Sequence, residues 1–162
     1  MWPIMGPLVA IGQTIFGKLY DRFERSTAVR LEMVPGLAGY PDRSLVAFII
    51  VTVRNQGTPQ KVEDVALQLS NGQYLLMPMP HPSVAPPEDG MVTTTQPYQI
   101  GFELEEVKAK IAEEEAQTGR RVGVVGARAR LVSGRTVRLR KKIDLNNQAL
   151  FQFQKPGNVS KP

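Results

Sequence analysis

The chain has 162 residues, of which 42% are apolar and 22% charged, and its formal net charge is +5. These values exclude wholesale disorder and allow one domain with a real core plus an appendage; the positive balance bears on partners only where it is clustered. With no cysteine and one histidine, His81, disulfides, thiolate catalysis and cysteine-ligated zinc are excluded, and neither a histidine-rich metal site nor a histidine-centred triad is expected. The lack of cysteine also fits a reducing compartment. The 14 glycines and 13 prolines fall mostly between apolar runs, which favours many short elements over a helical bundle.

Residues 1–26 differ in character from all that follow. Leu8, Ile11, Ile15, Leu19 and Phe23 recur at steps of three and four, which places them on one side of a helix. Pro7 suits its first turn, and Trp2 stands at its edge. A cleaved signal peptide is a poor fit, since no positive region precedes the apolar run. The uncharged run 1–17 is also shorter than the ~20 residues of a usual membrane span. The reading is an amphipathic helix that lies at a membrane interface, docks on its own domain or packs in an oligomer. If it inserts, Lys18, Arg22 and Arg25 hold the rest of the chain in the cytoplasm.

Residues 27–154 read as a β-sandwich. Val29, Leu31 and Met33 alternate with Arg30 and Glu32, a half-buried strand ended by a loop at Pro35-Gly36. Residues 45–54 form a short, almost wholly apolar run closed by Asn55-Gln56-Gly57, the pattern of a central strand buried on both faces. Val62, Val65, Leu67 and Leu69 lead to Asn71-Gly72 and then Tyr74 and Leu76. This predicts a hairpin with a two-residue loop that pairs Leu69 with Tyr74 and Leu67 with Leu76.

Residues 77–90 carry five prolines and are expected as an edge or loop, with His81 an exposed loop residue that has no partner. Residues 92–102 are expected as one strand. Residues 103–116 read as a short crossover helix with Leu104, Val107 and Ile111 on its buried face and its glutamates in water.

The most informative surface feature is the basic hairpin at 119–143. A two-residue loop would mix apolar and basic residues on both faces; a three-residue loop at Ser133-Gly134-Arg135 sorts them. That register sets Leu131 against Val137, Ala129 against Leu139 and Val125 against Ile143. The other face then carries Arg128, Arg130, Arg138, Arg140 and Lys142, an expected patch for an anionic partner. Like charges set opposite one another destabilise a sheet, so acidic neighbours or external phosphates are expected to offset them. The face has no aromatics for base stacking, which disfavours sequence-reading of nucleic acid. Residues 150–153 read as a last strand, and 155–162 as a disordered tail.

Four stretches carry a resemblance: Tyr20-Asp21-Arg22-Phe23-Glu24-Arg25, Val51-Thr52-Val53-Arg54-Asn55-Gln56-Gly57, the Val62-Glu63-Asp64-Val65 run leading to Asn71-Gly72, and Ser133-Gly134-Arg135-Thr136-Val137. In their order the chain resembles uncharacterised bacterial proteins with an N-terminal hydrophobic or membrane-proximal helix and one immunoglobulin-like β-sandwich. The resemblance implies that fold and a non-catalytic role. The N-terminal segment here is shorter and interrupted by prolines.

The chain has no glycine-rich phosphate loop, nucleophile elbow or metal-ligand cluster, so neither an enzyme nor a cofactor is expected. The leading expectation is an interaction or structural module tied by its first helix to a membrane or assembly, with a protein or an anionic membrane surface as partner. A subunit of a larger particle such as a phage virion, forming homo-oligomers, is the alternative, and non-specific nucleic-acid binding comes third. The expected location is the cytoplasm, the cytoplasmic face of a bacterial membrane, or a virion.

Overall fold

The computed structural model describes residues 28–39, 45–77 and 81–147. The helix expected over 1–26, with Trp2, Leu8, Ile11, Ile15, Leu19 and Phe23, lies outside the described residues, as do the strand expected at 150–153 and the tail.

Among the described residues the fold is mainly β, with two antiparallel sheets and one α-helix. In the first sheet β2 (Leu45–Asn55) runs between β1 (Val29–Gly39) and β6 (Tyr98–Glu103). In the second, β4 (Tyr74–Leu76), β3 (Gln60–Leu69), β7 (Val124–Leu131) and β8 (Thr136–Ile143) lie in that order, and the short β5 (Met91–Val92) pairs with β3. The inward residues of both sheets form one core: Leu31 and Met33, Ile49, Val51 and Val53 from the first, Val65, Leu67, Ala127, Ala129 and Leu131 from the second. Each such valine or leucine contributes roughly 1.5–3 kcal/mol by its burial.

The apolar run at 45–54 is buried on both faces through much of its length, as expected. Ile49, Val51 and Val53 enter the shared core, and Phe48 and Thr52 are buried on the other face. Phe48 lies under His81, whose ring centre is 4.8 Å away. The histidine is therefore packed on the sheet, where a partnerless loop residue was expected. A 3-10 turn, Pro82–Val84, follows it.

The helix α1 (Leu104–Thr118) buries Leu104, Val107 and Ile111, the three residues expected. Glu105 and Glu106 in its first turn complement the helix dipole. It stops at Gly119, left-handed at φ 65°, whose N–H donates to the Glu115 carbonyl. It carries the chain from β6 in one sheet to β7 in the other.

Two expectations about strand extent need correction. β1 continues through Pro35-Gly36 to Gly39, paired with β2 throughout; an edge strand tolerates proline because one of its rows of N–H groups has no ladder partner. Residues 92–102 are not one strand. Met91–Val92 pairs in the second sheet and Tyr98–Glu103 in the first, with a turn between them in which Thr93 N–H donates to the Gln96 carbonyl.

Both hairpins also use a three-residue loop with glycine third. Gly72 N–H donates to the Leu69 carbonyl and Leu69 N–H to the Gln73 carbonyl; Gly134, Leu131 and Arg135 repeat the arrangement. The two glycines have φ 85° and 86°, where a side chain would be strained. In the first hairpin Gln68 therefore faces Tyr74 and Leu67 faces Leu75, one residue from expectation. Leu75 packs against the core, Leu76 is 51% exposed and Tyr74 turns to the outer face. In the second the loop is Val132-Ser133-Gly134, so Ala129 faces Val137 and Arg128 faces Arg138. That shift of two residues keeps each side chain on its expected face, except that Val124, and not Val125, pairs with Ile143.

Candidate anion-binding face

The outer face of the second sheet is shaped by irregularities at the two ends of the β3–β7 pairing. At one end the register shifts between Val62 and Asp64, paired with Leu131 and Arg130. Glu63 is the extra residue, as in a β-bulge. Two successive carboxylates thereby reach the same arginine: Glu63 Oε2 lies 3.0 Å from Arg130 Nε, and Asp64 Oδ2 lies 2.7 Å from a terminal nitrogen of Arg130. Asp64 Oδ1 also accepts from Arg128 at 3.4 Å. Arg128 is largely buried, its guanidinium stacked over Tyr74, and its Nε has no hydrogen-bond partner among the described residues.

At the other end Gln68 pairs with Gly126 and Leu69 with Val124, leaving Val125 extra against β3. Against β8 the mismatch runs the other way: between Gly126–Arg140 and Val124–Ile143, the single Val125 stands opposite Lys141 and Lys142. Gly126 is required here, because a Cβ on it would run into the Leu139 carbonyl oxygen of β8. A recess of about 400 Å³ results, lined by Gln68, Val125, Arg140, Lys141 and Lys142. Lys141 is tied down, its Nζ donating to the Met33 carbonyl of β1 at 2.7 Å. Arg138, Arg140 and Lys142 are exposed and have no carboxylate within 4.0 Å among the described residues.

The five cations expected to form one patch thus divide. Those of β7 are matched by β3 acids; those of β8 are not. The face also draws on Glu63, Asp64, Gln68, Val125 and Lys141, none of which the sequence pattern assigns to it. The first two had a signal: Val62 and Val65 both face the core, and a step of three within a strand requires an extra residue between them.

Burial, and then the Asp64 carboxylate, raise the Tyr98 phenol above its ordinary value of 10.0; burial lowers the Arg135 guanidinium. The α1 glutamates do not converge. Glu105 and Glu113 pair with Lys108 and Lys110, Glu114 accepts from Asn71 and Glu115 from Val122 N–H. Among the described residues no cluster of histidine, aspartate or glutamate suits a metal ion, and no helix is long and apolar enough to cross a membrane.

The class these features define is a two-sheet antiparallel protein with a charge-divided outer face. No family model, curated protein or solved structure matches the chain.

Proposed function

We propose that this domain is a non-catalytic interaction module, immunoglobulin-like in its sandwich, that engages an anionic surface through β8. The observation that carries this reading is the division of charge across one hairpin: Arg128 and Arg130 are held by Asp64 and Glu63, while Arg138, Arg140 and Lys142 on the neighbouring edge strand meet no acid among the described residues. Arg138 stands opposite Arg128, while Arg140 and Lys142 face Gly126 and Val125; three cations along one exposed strand make a positive field that attracts an anion. Residues 1–26, by their sequence pattern, would tie the module to a membrane or an assembly.

The test is flotation of the full chain with phosphatidylglycerol and with phosphatidylcholine vesicles, alongside the Arg138→Gln/Arg140→Gln/Lys142→Gln variant. Salt-sensitive binding to the anionic vesicles alone, lost in the triple variant, is expected. Equal flotation of the two proteins overturns the assignment to β8. Absence of flotation together with a large stable mass in solution replaces it with the particle-subunit reading.

A further inference from the structure

We infer that the recess beside Gly126 is a phosphate-group site, in which Arg140, Lys142 and the Gln68 amide hold the oxyanion. The inference rests on the reading of β8 as the anion-facing strand and narrows it from a charged surface to one pocket.

Register brings the parts together. Gln68 on β3 and Arg140 on β8 are the two partners of Gly126, one on each neighbouring strand. With no side chain between them at Gly126, both line the same recess. The mismatch opposite Val125 adds Lys141 and Lys142 to the same wall. Bulges recur where a side chain has to be re-aimed beside a functional site.

The donor set suits a tetrahedral oxyanion. Arg140 offers a planar fork of N–H groups, Lys142 a compact charge and Gln68 a neutral N–H₂. The first two have no carboxylate within 4.0 Å, and the Gln68 side chain makes no hydrogen bond, among the described residues. The fourth polar group is already committed: the Lys141 bond to Met33 pins β8 against β1, so the wall is held before any ligand arrives. The other bulge gives the contrast. There the extra residue supplies Glu63 beside Asp64 and cancels its arginines, whereas here the extra residue is a lysine and the charge stays open.

The chemistry is shared by free phosphate and by a phosphate ester such as a lipid headgroup. The experiment is a titration of the full chain with inorganic phosphate and with glycerol phosphate, followed by amide ¹⁵N–¹H shifts. Saturable shifts confined to Gln68, Val125, Gly126 and residues 140–142 are expected. Arg140→Gln should weaken binding about tenfold and Gln68→Leu about fivefold, since each removes one hydrogen bond to a charged ligand. Arg30→Gln, which removes the same charge from the outer face of the other sheet, should change it less than about twofold.

Tighter binding of glycerol phosphate assigns the site to esterified phosphate, and tighter binding of inorganic phosphate assigns it to the free ion; both outcomes support the recess. Gln68→Leu binding as tightly as the native chain, or shifts spread evenly over all cations, overturns it. Gln68→Leu leaves every charge in place, so its failure to matter would leave the vesicle result for β8 untouched.

Discussion

The Arg128 guanidinium carbon stands 4.0 Å from the centre of the Tyr74 ring, and the same side chain reaches Asp64 Oδ1 at 3.4 Å. Arg128 therefore serves the sheet, held from two sides with only 17% of its side chain exposed. Replacing Tyr74 by leucine keeps the apolar cover but removes the ring face, and should cost about 1 kcal/mol. Tyr74→Phe keeps the face and should cost less than about half of that. Asp64→Ala should cost more, about 2–3 kcal/mol, because it releases Arg128 and one of two partners of Arg130 together. Urea denaturation measures all three. Equal losses for the leucine and phenylalanine variants would assign the effect to the hydroxyl and not to the ring.

Two glycines should respond to alanine for different reasons. At Gly126 the added methyl meets the Leu139 backbone oxygen, which cannot move without parting β7 from β8; overpacking of this kind costs about 1–3 kcal/mol. At Gly72 a Cβ meets nothing within 4 Å, but φ is 85°, so the cost is conformational and about 1 kcal/mol. Thermal melts give the order. Amide exchange separates the causes, since only Gly126→Ala should expose the β7–β8 hydrogen bonds near Leu139.

Alternation made much of this fold legible, because a half-buried strand has a two-residue period that Val29, Leu31 and Met33 or Ile49, Val51 and Val53 display directly. Helix α1 was equally clear from Leu104, Val107 and Ile111. What alternation misses is a one-residue slip. Asn71-Gly72 suits a two-residue loop as well as a three-residue loop with glycine last, and the choice is made by Leu75 reaching the core, a long-range contact. The candidate site depends on two such slips. The one at Glu63 was signalled by the spacing of Val62 and Val65. The one at Val125 was not, since Val124 and Val125 are alike and only packing decides which faces inward. The division of the five cations follows from register, so composition could show the charge and not which part of it is free.

Asn55 is a buried polar side chain, 3% exposed, whose amide donates to the Thr58 carbonyl at 2.7 Å and the Val92 carbonyl at 3.2 Å. Its Oδ1 accepts from Gly57 N–H at 2.9 Å. It thereby closes the turn after β2 and ties the first sheet to β5 of the second. Asn55→Asp would set a carboxylate oxygen against two carbonyl oxygens in place of an N–H₂ group. A loss of about 2–4 kcal/mol is expected, larger than that of Asn55→Ala, which removes the donor without adding repulsion. Equilibrium unfolding of the two variants decides it: a smaller loss in the aspartate variant would mean that the carbonyls find other donors.

Tyr98 gives the fold an alkaline limit. Its ring is 8% exposed within the core, and its phenol is raised above 10.0 first by burial and then by the Asp64 carboxylate. The folded chain therefore keeps this proton at a pH where the unfolded chain releases it. Below the unfolded value of about 10 both states hold the proton, and the full stabilisation is present. As pH rises past that value the unfolded state gains by ionising, and stability falls by up to about 1.4 kcal/mol per pH unit until the folded phenol ionises too. Tyr98→Phe has no such proton to lose. Melting temperatures of the native chain should fall between about pH 9.5 and 11, while the phenylalanine variant should lose this component of the fall. Parallel curves for the two proteins would transfer the alkaline limit to other groups.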